Sequence, residues 1–349
     1  MINPEPGHDG ADAPKVLVCG GNRGRWHWKD RAHEEPITNG IEAWVFALRG
    51  EYLQGIELRA EDLDRYDLIV LNLNFGYLPH YRRVLGAAPS RRARLVGLYE
   101  GDLAELHDGW KEWRDVADRC DLIIAINGHG VSALEALTKT PVSFIGIPYP
   151  VDGTRAFSVP VAGRSREIFL CAPLLRRPLD YIAAETLGLP MYAFEKTFSR
   201  RLPELLEHRS FDKRRYVNRA ERRYDNPALS ILPNTHLKGF FDRAARSILW
   251  MNLDTRYTWG RYVLDAAALA MPIITTRETW HGIALFPDLL VDSPYDIAGA
   301  RRLAARLLED DAFYRDVTER ASAGLDWYRP EATVKRLREV LLERGIAIG

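Results

Sequence analysis

Five short apolar runs, 15–20 (KVLVCG), 67–73 (DLIVLNL), 94–99 (RLVGLY), 121–126 (DLIIAI) and 142–147 (VSFIGI), are nearly continuous rather than alternating. That is the pattern of strands buried on both faces. Helix-length stretches separate them: 40–51 behind the cap candidates Thr38 and Asn39, then 77–85 and 102–119. Strand, helix, strand at this rhythm predicts a parallel sheet with right-handed crossovers. The stretch 151–166 (VDGTRAFSVPVAGRSR) has little apolar periodicity and reads as a linker. A second series follows, with strands over 167–172, 189–194, 229–232, 247–252 and 272–276, and helices over 179–187, 237–245, 262–270, 296–308 and 311–324. A last amphipathic helix, 331–343, follows Pro330 and carries Val334, Leu337, Val340 and Leu341 on one stripe. Two α/β domains of similar size are expected.

Composition agrees with this reading. A chain of 349 residues, 46% hydrophobic and 28% charged, has the apolar fraction of a globular protein of about two domains, which excludes disordered, collagen-like and coiled-coil classes. No run approaches the roughly 20 apolar residues of a membrane helix, and the first residues have neither a basic nor an apolar leader region, so a cytoplasmic protein is expected. Cys19, Cys120 and Cys171 form no CxxC pair and read as small buried hydrophobes. Equal numbers of Lys+Arg and Asp+Glu, 48 each, argue against a protein that coats nucleic acid, though a local basic face survives such an average.

Two stretches invite a chemical reading. Gly20-Gly21-Asn22-Arg23-Gly24 follows the first strand without GxGxxG spacing, so a dehydrogenase-type dinucleotide site is disfavoured. The loop is either a tight turn or one whose backbone, at Gly21, approaches a phosphate or sugar. From Asn22 to His33 Arg23, Arg25, Lys29 and Arg31 are interleaved with Trp26 and Trp28, a mixture that suits an anionic, stackable ligand, or else a solvated loop whose rings fold back on the core. The stretch 196–223 holds ten Lys/Arg against four acids, which suits either a polyanion or a solvated helix face. His107, His129, His208 and His236 are isolated; His281 alone lies in a motif-bearing loop.

The segment 39–45 (NGIEAWV) resembles the Gly-Gly-Ile-Glu helix start in the N-terminal domain of GT-B glycosyltransferases, the class built of two Rossmann-like domains. The segment 147–152 (IPYPVD) is similar to the Pro-Asn-Gly-Val-Asp that ends that domain, and 257–272 (YTWGRYVLDAAALAMP) resembles the glycogen-synthase-like retaining branch. There two acids stand eight residues apart; the matching positions are Tyr257 and Asp265, so the second acid is present and the first is not. The resemblance implies that Asp265 binds the ribose of the donor and that Tyr257 occupies the place of a sugar-contacting acid. His281 and Gly282 stand where the family turns over the donor. A fainter likeness points to the phage DNA β-glucosyltransferase, an inverting GT-B enzyme, through 66–70 with Asn72 and through 98–102 (LYEGD). It implies a catalytic carboxylate at Asp102, with Glu100 in reserve, and a diphosphate held by Arg176 and Arg177. Asp102 also reads as a helix N-cap, and the two arginines as a surface pair.

The expectation is therefore an α/β protein of GT-B type, with two Rossmann-like domains facing across a cleft. An acceptor domain spans 14–155, a nucleotide-sugar domain 166–328, and 329–349 forms a crossover helix returning to the first. It would move a sugar from a nucleotide-sugar, UDP-sugar favoured, to a hydroxyl on a DNA base or on a small metabolite or glycan. No metal or other cofactor is expected. Donor binding is assigned to Gly21, Arg176, Arg177, Leu232, His236, Tyr257, Asp265, His281 and Gly282. An anionic acceptor such as DNA is assigned to Arg23, Arg25, Trp26 and Trp28. The alternative is a non-catalytic protein of the same fold that binds nucleotide-sugars or nucleic acid.

Overall fold

The computed structural model describes residues 14–21, 24–38, 40–88, 91–101, 106, 109–171, 179–194, 226–233 and 235–348. Two compact units divide the chain, one of Met1–Pro150 with Trp327–Gly349, the other of Val151–Asp326. No helix among the described residues is long and apolar enough to cross a membrane.

The first unit holds a seven-stranded sheet of β1 (Val16–Gly20), β2 (Arg25–His27), β3 (Glu51–Gln54), β4 (Leu68–Asn72), β5 (Arg94–Tyr99), β6 (Leu122–Ala125) and β7 (Val142–Phe144), in the order β2-β3-β1-β4-β5-β6-β7. All neighbours are parallel except the edge pair β2–β3. The apolar runs are buried throughout because both faces are covered. On one face Leu17, Cys19, Ile69, Leu71, Leu95 and Tyr99 join Leu78, Tyr81, Trp113 and Val116 of the crossover helices. On the other the helix Gly40–Ala47 lies along β1 and also meets the terminal helix Pro330–Glu343. That helix is pinned by Arg336, which donates twice to Ile145 O (3.1 and 3.0 Å) and lies 3.6 Å from the Trp327 ring centre.

Two expected boundaries differ. The helix expected over 40–51 ends at Ala47, where Arg49 takes a left-handed φ of 53° and Gly50 N bonds Val45 O (3.0 Å). Of the released residues only Glu51 enters β3, which runs on to Gln54 with just Tyr52 and Leu53 apolar. The stretch 25–27, expected in a loop beyond β1, is the antiparallel edge strand β2.

The second unit holds a six-stranded parallel sheet of β8 (Ile168–Leu170), β9 (Met191–Phe194), β10 (Leu229–Leu232), β11 (Leu249–Asn252), β12 (Ile273–Thr276) and β13 (Leu290–Val291), in the order β10-β9-β8-β11-β12-β13. Counted along the chain this is the 3-2-1-4-5-6 order of dinucleotide-binding folds, whose switch point falls here between β8 and β11. Its core is aromatic: Phe169 stacks on Tyr192 (5.2 Å) and meets Trp250 (5.0 Å) and Phe240 (5.7 Å) edge-on. The stretch expected as a linker opens with a helix, Val151–Arg155, and its Arg164 is bound into the second unit. That guanidinium donates to Leu269 O (3.1 Å), Ala270 O (3.1 Å), Val159 O (2.8 Å) and the Tyr314 hydroxyl (2.7 Å).

Candidate functional site

In open α/β sheets ligands bind beyond the carboxyl ends of the strands, at the switch point. In the second unit that edge is a layered polar assembly. Asp180, fully buried on the helix Leu179–Ala184 that follows β8, accepts from Leu253 N (2.5 Å) just past β11 and so ties the two switch-point strands together. Thr275 Oγ1 donates to Asn252 O (3.1 Å) and lies within hydrogen-bond distance of Thr279 Oγ1 (3.1 Å), and Thr276 Oγ1 donates to Asp254 O (3.0 Å). The segment carrying Tyr257 is zipped onto the turn after β12: Thr258 N bonds Glu278 O (3.0 Å), Trp280 N bonds Thr258 O (2.9 Å) and His281 N bonds Trp259 O (3.3 Å). Gly260 closes the segment as the left-handed N-cap (φ 85°) of the helix Arg261–Ala268, where a Cβ would strike Thr279.

The donor residues expected from sequence fall around this edge unevenly. Tyr257 is 51% exposed on the segment beyond β11. Asp265 lies one turn inside the helix, fully buried, with Arg261 Nε 3.4 Å from its Oδ2. His281 is fully buried edge-on to Trp259 (6.2 Å), and burial pushes its imidazole down to about 3. It is therefore neutral at physiological pH and adds no positive charge for a diphosphate. Gly282 is buried against β12, where a Cβ would lie 2.7 Å from Thr275 Cγ2, so its bare backbone serves packing. Leu232 ends β10 and His236 N-caps the helix Leu237–Ala244; β9 stands between that strand and β8. Arg176, Arg177 and the basic stretch 196–223 lie outside the described residues.

In the first unit the corresponding edge is formed by the ends of β1, β4 and β5. Gly20 and Gly21 follow β1; a Cβ on Gly20 would lie 2.7 Å from the Tyr52 hydroxyl, and one on Gly21 3.1 Å from the Tyr77 hydroxyl. Glu100 follows β5, with its carboxylate packed so closely on Gly40, the first residue of the helix Gly40–Ala47, that a side chain there would collide with it. Its Oε1 is buried without a hydrogen-bond partner, and burial pushes the carboxyl up to about 7. Asp102 lies outside the described residues.

The residues expected to bind an anionic acceptor are mostly occupied. Arg25 donates to the Tyr66 hydroxyl (2.5 Å) and pairs with Glu51 (3.1 Å) and Asp62 (3.6 Å). Arg31 pairs with Glu34 (2.5 Å) and Glu42 (3.2 Å). Trp26 stacks on Tyr52 (4.8 Å) with the Arg31 guanidinium 4.6 Å from its centre, and Trp28 has Lys29 and Arg49 near its ring (5.7 and 5.8 Å). Of these contacts Arg25–Glu51 and Trp26–Tyr52 attach β2 to β3, and Arg31–Glu42 ties the turn after it to the helix Gly40–Ala47. Arg23 lies outside the described residues. Sequence reasoning gave no role to Asp180, and Thr38 was expected only as a cap. Asn72, the one amide in an otherwise apolar strand, carried a visible signal.

Two sheets of this order and direction make up the architecture of the GT-B class. No protein-family profile matches the chain, and no curated protein sequence matches it. Among solved structures it is similar to HepE of Anabaena in complex with UDP (TM-score 0.66, 13% identity, 94% of this chain and 100% of that one). HepE is also known with UDP and glucose and with UDP-glucose. It is similar as well to the α,α-trehalose-6-phosphate synthase of Burkholderia multivorans (TM-score 0.61, 14% identity, 87% and 75% covered). The sucrose-phosphate synthase of Thermosynechococcus elongatus is a third likeness (TM-score 0.55, 14% identity, 80% and 74% covered). At these identities the likeness shows the fold, which is GT-B.

Proposed function

We propose that the protein transfers a sugar from a UDP-sugar to a hydroxyl acceptor, with the nucleotide held at the switch point of the second unit and the acceptor at the strand ends of the first. The likeness to HepE over nearly the whole of both chains, with UDP and UDP-glucose bound to that protein, supports the donor class. The observation that carries the reaction is Glu100, a carboxylate at a strand's carboxyl end whose burial brings it to about 7. A base poised there accepts a proton efficiently near neutral pH. As the acceptor oxygen forms its bond to the anomeric carbon, its proton passes to Glu100. The bond from that carbon to the diphosphate oxygen breaks, and the electron pair leaves with UDP. Asp102, two residues on, is the other carboxylate in reach of this role by sequence.

Asp265 is assigned to the ribose hydroxyls, since a carboxylate accepts from both. Arg176 and Arg177 are assigned to the leaving diphosphate, so no metal is invoked. The acceptor is taken to be a small metabolite or glycan rather than a DNA base, because Arg25 and Arg31 already have acidic partners. The test is release of nucleoside diphosphate by the purified full chain from UDP- and GDP-sugars, with and without neutral acceptors. Acceptor-dependent UDP release is expected; UDP binding with no turnover would mark a non-catalytic binder, and no binding of any nucleotide-sugar would overturn the assignment.

A further inference from the structure

Among the described residues of the first unit, the buried side-chain oxygens that find no hydrogen-bond partner are those of Thr38, Asn72, Tyr81 and Glu100. Tyr81 belongs to the apolar layer on one face of the sheet. Asn72 and Glu100 share the opposite face, and Thr38 lies two residues before the helix Gly40–Ala47 that covers it. Asn72 is paired in register with Leu98, and Glu100 stands two residues beyond Leu98, so side-chain alternation puts both on the same face of adjacent strands. On the other side of β4 a Cβ on Gly20 would lie 3.0 Å from Ile41 Cγ2, while Gly40 rests on the Glu100 carboxylate. The first turn of the helix Gly40–Ala47 therefore spans from β1 to β5, and Asn72 ends the strand between them. Thr38, 2% exposed, enters that turn without capping it.

Buried polar atoms in folded proteins nearly always find partners, and an unmatched group is one held for something else. Of these three, the amide oxygen only accepts hydrogen bonds, the Thr38 hydroxyl does both, and the Glu100 carboxyl accepts when ionised and donates when protonated. Such a set is complementary to O–H groups and brings no positive charge to a phosphate.

We propose that Thr38, Asn72 and Glu100 form a subsite for an uncharged polyhydroxyl acceptor, a neutral sugar or cyclitol, under the first turn of the helix Gly40–Ala47. This rests on the sugar-transfer reading and adds the chemical class of the acceptor. Phosphorylated sugars and nucleic acid are disfavoured there.

Ligand-observed NMR on the full chain with UDP present tests it, using glucose, galactose, sucrose and myo-inositol as neutral probes against glucose 6-phosphate and a short DNA duplex. At least one neutral probe should bind, and its affinity should fall about 3- to 10-fold in Asn72→Leu and in Thr38→Val, the loss of one neutral hydrogen bond. UDP affinity should hold in both. Melting temperature separates this from a structural role: replacing an unmatched buried oxygen by an apolar isostere leaves stability unchanged or raises it, whereas breaking a structural bond lowers it. Binding of the phosphate or the duplex with no neutral probe bound would overturn the proposal. So would neutral binding indifferent to both substitutions, or binding to none of the probes. Because the readout is binding, absence of UDP-sugar turnover would count against the sugar-transfer reading alone.

Discussion

A carboxyl that titrates near 7 and an imidazole that titrates near 3 mark opposite consequences of burial, since the charged form is the one penalised in each. For Glu100 the consequence is catalytic. As a general base it works when ionised, so turnover at low substrate should rise with pH through about 7 and level off above it. Glu100→Gln should remove that limb and lower kcat by roughly 10²–10⁴-fold with UDP affinity intact, as read by a pH–rate profile and by calorimetric titration of UDP. A variant with the wild-type profile would transfer the role to Asp102. For Asp265 the expected effect is on the donor. Asp265→Asn keeps the shape but weakens acceptance from two ribose hydroxyls, so UDP binding should weaken by about 1.5–3 kcal/mol while kcat at saturating donor changes little. Asn is the informative choice because it keeps a side-chain oxygen beside the Arg261 guanidinium 3.4 Å away, which Ala would not.

Among the elements, the segment 151–166 shows how a stretch without periodicity becomes structural. Arg164 supplies donors to the two carbonyls just past the helix Arg261–Ala268, Leu269 O and Ala270 O, at a point where Ala270 takes a left-handed φ of 51°. Four acceptors on one planar cation are a geometry that lysine does not reproduce. Arg164→Ala should destabilise the protein by about 2–4 kcal/mol, the loss of several charge-assisted bonds, and Arg164→Lys should recover only a minor part of it in urea denaturation. Helix and strand positions were legible wherever an apolar run was long enough to have a pattern. β2, β3 and β13 were not, because each holds at most two apolar residues and owes its strand conformation to a neighbour's edge. The same holds for the basic aromatic stretch: Trp26 and Arg25 have the composition of a ligand-binding loop, but the edge of β3 recruits them as a strand and the acids Glu51 and Asp62 absorb the charge.

At the scale of the whole molecule the two buried titrating groups act on stability with opposite sign. Glu100 holds its proton more tightly folded than unfolded, from an ordinary value of 4.5 up to about 7, so its contribution is full below 4.5 and lost as pH rises through 7. His281 is held neutral, from 6.5 down to about 3, so its contribution is present above 6.5 and lost as pH falls towards 3. Between those ordinary values the two slopes oppose each other. Thermal unfolding across pH should therefore show Glu100→Gln gaining relative stability as pH rises through 7, and His281→Leu gaining it as pH falls below 6.5. Parallel curves for wild type and variants would refute these two roles. The chain by itself determined the fold class, because unbroken apolar runs alternating with helix-length stretches have few solutions other than parallel sheets covered on both faces. It also suggested the GT-B class, through the resemblance of 39–45 and 257–272. Only the tertiary structure decided which polar groups are committed and which are held in reserve. Whether a charge is matched, or an oxygen left without a donor, depends on residues far apart in the chain: Asp180 with Leu253, Arg25 with Asp62, Glu100 with Gly40. No local pattern encodes that balance, because hydrogen bonds and ion pairs are settled by proximity in space.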